Sequence, residues 1–198
     1  MWALVESSAV TKVFTKPQAF NLGDNQYPIN IFELWSSSAL EAIGVYEIVI
    51  DNTNLKNREY YINTNQTFAF ADSTVTATYG TPTAKELADV LFSAQDETDG
   101  YGTEGDLKTR GLKYNHKVVI NQLSATVLQE TDWLVLRETE GGTACPSATK
   151  TWRAAVRTKA NAMTTAIDAA ANVDALAALY IYNDATPPVR PLGEFPTL

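Results

Sequence analysis

The apolar residues of this chain change period once, and that change limits what it can fold into. Up to Tyr79 they recur mostly at every second position in short runs, the spacing of half-buried strands; beyond Leu112 they recur every third or fourth, the spacing of helices. Trp2 to Val5 and Ala9 to Phe14 flank Glu6-Ser7-Ser8 and predict a hairpin that Pro17 ends. Thr67 to Ala71 and Thr74 to Tyr79, joined at Asp72-Ser73, predict a second hairpin. Phe68 and Phe70 share one face of their strand, as Val75, Ala77 and Tyr79 do of theirs, so the pair can cover one core.

Between the hairpins, Tyr27 to Ile31 reads as extended, Val45 to Ile50 as a strand and Trp35 to Gly44 as a short helix with both ends marked. With Ser36 as N-cap, Trp35 and Leu40 occupy the staple positions and Gly44 supplies the left-handed residue that closes the helix. A helix this short needs packing to persist, so Trp35, Leu40 and Ile43 are expected against the strands. Residues 1–80 thus read as a small antiparallel β-rich module with one short helix.

Residues 81–106 read as an acidic, glycine-containing linker, centred on Asp96 to Asp106. Residues 107–182 read as a helical module, so the fold class is α+β. Its first stripe is Leu112, Val119, Leu123 and Val127. Its longest helix spans Ser147 to Ala170, with Trp152, Val156, Lys159 or Ala160, Met163 and Ile167 on one side. Asn172 is placed to cap a last helix carrying Val173, Leu176, Leu179 and Tyr180, which makes two long helices and one short. Residues 183–198 hold Pro187, Pro188, Pro191 and Pro196 and form a tail that stays loose unless its own body or a neighbouring subunit holds it.

Charge and residue inventory remove several function classes. A net charge of −8 repels phosphate backbones and anionic membrane surfaces, so neither nucleic acid nor membrane is an expected partner. No run is long and apolar enough to span a bilayer, and the start has no basic and apolar leader, so the expected compartment is a cytoplasm. Cys145 is the only cysteine and His116 the only histidine, which rules out an internal disulfide, a multi-cysteine zinc site and a histidine pair. No Gly-x-Ser-x-Gly elbow marks a nucleophile for His116, and no glycine loop cradles phosphate. Glu97, Asp99, Gly100 and Asp106 fall at positions 3, 5, 6 and 12 of a calcium loop, but position 1 would be Gln95 and the last ligand an Asp. A solvated acidic stretch fits better. Expected, then, are no catalytic residues, no cofactor and no metal.

One segment carries a resemblance. Thr131-Asp132-Trp133 opens a helical stretch, Pro146 lies in the linker that follows, and Trp152-Arg153-Ala154-Ala155-Val156-Arg157 lies at the start of the next helix. These three motifs in order resemble the phage tail assembly chaperone-like domain, over about residues 107–182. Ala3 to Glu6 and Ile31 to Ser36 also look like an N-terminal module of marine tailed-bacteriophage tail or tail-fibre proteins. The resemblance implies a virion tail protein made in the host cytoplasm, acting on other tail proteins as a homo-oligomer or within a larger assembly. An assembly chaperone that leaves the particle is the alternative, and a polysaccharide-acting enzyme the more distant one. Within this reading Trp35, Trp133 and Trp152 are fold signatures, with Trp133 plugging the helical core. Arg153 and Arg157, four apart, form a basic edge able to anchor a partner's carboxylates.

Overall fold

The structure is a computed structural model that describes residues 1–198. Its chain divides into two units, Met1–Thr83 and Ala84–Leu198. The first contains β1 (Trp2–Glu6), β2 (Ala9–Phe14), β3 (Phe20–Leu22), β4 (Asn25–Tyr27), α1 (Ile31–Leu34), α2 (Ser37–Glu41), β5 (Val45–Asp51), β6 (Tyr61–Ile62), β7 (Gln66–Ala71) and β8 (Thr74–Tyr79). A two-residue strand, β9 (Thr83–Ala84), falls at the boundary.

Both expected hairpins form. Ser7 and Ser8 have φ of 51° and 64°, and Asp72 and Ser73 have 48° and 58°. Two successive left-handed residues make the turn whose twist matches paired strands. The main sheet has the order β2-β1-β5-β8-β7. It is not wholly antiparallel, because β5 and β8 run parallel, with Ile48 opposite Val75 and Ile50 opposite Ala77. The reason lies in which strand of the second hairpin faces inward. β8 carries Val75 and Ala77, both wholly buried, whereas Phe68 and Phe70 of β7 are only partly covered. β8 therefore takes the interior place beside β5, and β7 is left on the outside.

Each face of the sheet carries a core cluster, while Val49 and Ile50 of β5 stay about half exposed. On one, Leu4, Phe14, Phe20, Ile31, Phe32, Leu40 and Val45 form a cluster whose Phe14, Phe20 and Phe32 rings lie 4.9 to 6.1 Å apart. On the other, Ala3, Ile48, Val75 and Ala77 meet Val13, Tyr46, Phe68 and Phe70 as the sheet curls to bring β2 toward β7. Residues 31–34 are helical where an extended piece was expected at Ile31, since one turn lets both Ile31 and Phe32 enter the first cluster. Ser36 caps α2, its hydroxyl accepting from the Ala39 amide at 3.2 Å. Gly44, at φ 79°, closes it, and a Cβ there would come 2.7 Å from the Val5 carbonyl oxygen. Trp35 keeps 40% exposure and stands edge-on to Tyr27, so it is a rim residue of this cluster.

The second unit begins with β10 (Val90–Leu91), α3 (Ala94–Thr98) and β11 (Leu107–Thr109), followed by α4 (Leu112–Gln129), α5 (Asp132–Thr139), α6 (Ser147–Ala169) and α7 (Val173–Ala178). The expected linker is largely folded. β10 pairs with β11, and Ser93 and Asp96 form a capping box on α3. Residues 86–89 then satisfy the first amides of α4: Glu86 and Leu87 carbonyls accept from Leu112 and Lys113, and Asp89 accepts from Gly111.

On α4 the buried stripe is Leu112, His116, Ile120 and Ser124, one position away from the expected Val119 and Leu123, which are about half exposed. His116 tolerates burial because its Nδ1 lies 2.9 Å from the Tyr180 hydroxyl. The α6 stripe matches expectation at Val156, Ala160, Met163 and Ile167, and packs on α4. Asn172 caps α7, accepting from the Ala175 amide at 2.8 Å. The proline-rich tail is held by its own unit. Leu192 is buried and its amide donates to Leu179, and Trp152 Nε1 donates to the Pro196 carbonyl at 2.8 Å.

Candidate docking surface

The first and last of the three motifs of the helical module meet at one node. Arg153 lies on α6 in the core stripe Thr149, Arg153, Val156, Ala160 and is 6% exposed. Its guanidinium donates from Nη1 to the Leu128 carbonyl at 2.8 Å and to Thr131 Oγ1 at 2.6 Å, and from Nη2 to Asp132 Oδ1 at 2.6 Å. Thr131 Oγ1 donates in turn to the Leu128 carbonyl at 3.1 Å. One side chain thus fastens the end of α4 to the start of α5. The planar fork suits this, since it reaches several oxygens at once.

Arg153 is therefore not part of a basic edge offered to a partner, because its donors close an internal joint. Arg157, one turn on, is exposed. The two arginines expected to act together, four apart on α6, differ in burial: Arg153 is taken up by the internal joint and Arg157 is exposed.

Trp133 is a second correction. It does not plug the core; it is 58% exposed, with the Arg137 guanidinium 4.9 Å above its ring. Geometry explains this. Arg153 holds Asp132 toward α6, and the next residue of the helix, turned by about 100°, points elsewhere. No residue of α5 is fully buried, and Leu136 also shows 58% exposure. Val119 and Leu123, four apart on α4, form an exposed apolar stripe on that helix. α4 and α5 are joined by a two-residue turn and pack together. The result is a helical pair whose apolar residues outnumber the places that cover them.

The surrounding ions fix the frame of this face. Lys150 Nζ reaches Glu138 Oε1 at 2.6 Å, and that hydrogen bond holds the Glu138 carboxyl below its ordinary range and the Lys150 amine above its own. Arg137 Nε donates to the Thr143 carbonyl at 3.1 Å, tying α5 to the loop before α6. Cys145, in that loop, is buried.

The acidic stretch is organised around basic and amide partners. Lys108 and Ser93 engage Asp96 and bring its carboxyl down to about 2. Gln95 donates to Asp99, and Glu97 accepts from the Glu104 amide. No three of these carboxylates gather around a common point.

A cavity of about 500 Å³ lies beside the tail, lined by Ala178, Ile181, Tyr182, Val189, Arg190 and Pro191. Arg190 and Tyr182 are both bound to Glu194 there, which raises the Tyr182 phenol above its ordinary range. Sequence reasoning missed this hollow, since it arises from the return of residues 183–193. Comparison of the chain with protein-family models, with curated proteins and with solved structures finds no match.

Proposed function

We propose that this chain is a non-enzymatic structural protein of a tailed bacteriophage, associated with the tail as a fibre, baseplate or adaptor component, and that it works by docking to other proteins. The observation that carries the reading is the exposed apolar surface of α4 and α5, where Trp133 and Leu136 stand out from a helix with no buried residue. Exposed apolar patches of this kind on a well-packed body mark sites of protein association. The tail context rests on the order of Thr131-Asp132-Trp133, Pro146 and Trp152-Arg153, whose first and last members are bonded through Arg153. That joint places Trp133 on the surface, which suits a motif that both builds the helical body and supplies its contact.

A chaperone that leaves before the particle is complete would use the same exposed surface. Quantitative mass spectrometry of purified particles separates the two. A fixed copy number supports the tail component. Absence from particles, with recovery on tail precursors, supports the chaperone. Degradation of host polysaccharide by the purified chain, abolished by one carboxylate substitution, refutes both.

A further inference from the structure

Resting on the docking reading, we infer that the partner presents to α5 a segment in which a carboxylate side chain stands beside an aliphatic one. Arg137 receives the carboxylate, and Trp133 and Leu136 receive the aliphatic group. Leu136 and Arg137 lie three and four residues beyond Trp133, so the three share one side of the helix. The Arg137 guanidinium stacks 4.9 Å from the centre of the Trp133 ring, and Trp133 and Leu136 are both exposed. Trp and Arg are the residue types that most often anchor protein interfaces.

Half-buried Arg137 is held in place yet left without a counter-charge. Its Nε donates to the Thr143 carbonyl at 3.1 Å, and the Trp133 ring supports one face of the fork. Gly142, whose amide donates to the Arg137 carbonyl at 2.9 Å, packs so closely on the stem that a Cβ there would come 2.9 Å from Cγ. Neither Nη group has an acceptor within the chain, and Arg137 takes part in no ion pair. The nearby acids do not neutralise it. Asp132 is taken by Arg153 and Glu138 by Lys150, and Glu140, three residues on, forms no pair with it.

A stacked guanidinium with its outer N–H groups open matches the two oxygens of a carboxylate. Fixing the fork beforehand lowers the ordering cost of that contact. A basic segment would set its own charge against Arg137, and a wholly apolar one would cover the guanidinium without supplying an acceptor. The net charge of −8 does not forbid an acidic segment, because exposed charges more than about 8 Å away are largely screened at physiological salt.

The test is an NMR titration of the nitrogen-labelled full chain with two probes of equal shape, acetyl-Leu-Glu-Leu-amide and acetyl-Leu-Gln-Leu-amide. The Glu peptide should shift the Trp133 indole resonance, identified by its loss in Trp133→Phe, and the Arg137 Nε resonance, with a Kd of about 1 mM. The Gln peptide should bind about tenfold more weakly. Arg137→Met, which keeps the stem, should bring the Glu peptide down to the Gln level with unchanged circular dichroism. Arg137→Lys should recover part of the difference, and Arg137→Glu should turn the preference toward acetyl-Leu-Lys-Leu-amide. Equal binding of the Glu and Gln peptides overturns the inference, as does a Glu preference that survives Arg137→Met or the absence of binding at about ten times the expected Kd. If the Glu preference is absent while Leu136→Asp still fails to enter particles, the carboxylate is refuted and docking stands. If the preference depends on Arg137 and Leu136→Asp enters particles normally, the carboxylate site stands and particle docking through it is refuted.

Discussion

Replacing Arg153 by alanine tests the joint on which the helical unit depends. The substitution removes donors to Leu128, Thr131 and Asp132 together. The two bonds to neutral oxygens contribute about 1 kcal/mol each. Asp132 is more than half exposed, so its ion pair is discounted for solvent and counts for at most about 1 kcal/mol. Loss of the packed side-chain stem adds roughly another 1 kcal/mol. The expected destabilisation is about 3 to 4 kcal/mol, a large share of what a domain of this size possesses. Urea unfolding followed by circular dichroism measures it. Arg153→Met, which keeps the stem, should recover about 1 kcal/mol of the loss, and Asp132→Asn should cost under about 1 kcal/mol. A loss below about 1 kcal/mol for Arg153→Ala, or an equal loss for Asp132→Asn, would refute the reasoning, because either would mean that the guanidinium bonds do not carry the joint.

Three further outcomes are expected. Ser73→Gly relieves a left-handed residue in the second hairpin turn and should stabilise the chain by about 0.5 to 1 kcal/mol in the same unfolding assay. Gly44→Ala meets both an unfavourable positive φ and the Val5 carbonyl, and should destabilise it by about 2 kcal/mol or more by the same measurement. Asp96 has its carboxyl lowered by Lys108 and Ser93, so its contribution is complete above the unfolded value near 4 and is lost as pH falls toward 2. Amide exchange across residues 93–106 should accelerate over that window, and Asp96→Asn should remove the pH dependence.

Where one residue pattern fits one environment, the fold was legible. The α6 stripe could be read because Val156, Ala160, Met163 and Ile167 alternate by four and three, and Ser36 and Asn172 were found because their side chains cap locally. The α4 stripe was misread because its buried side contains His116 and Ser124, while Val119 and Leu123 face outward. Apolarity marks the core only when every apolar residue has somewhere to go. The parallel β5–β8 pair was hidden for another reason, since a hairpin's sequence does not say which of its strands enters the sheet. For the candidate site, Arg153 had a usable signal, because it sits three before Val156 and four after Thr149 on the core spacing. The fold-back of the tail had none, since it depends on Leu192 and Pro196 meeting residues far away in sequence.

The most direct test of docking as this chain's role is its copy number in particles propagated with Leu136→Asp, a change at an exposed residue that leaves the Arg153 joint untouched. Quantitative mass spectrometry should find the variant at normal abundance in the host and depleted at least tenfold from particles. Unchanged copy number per particle would contradict the account.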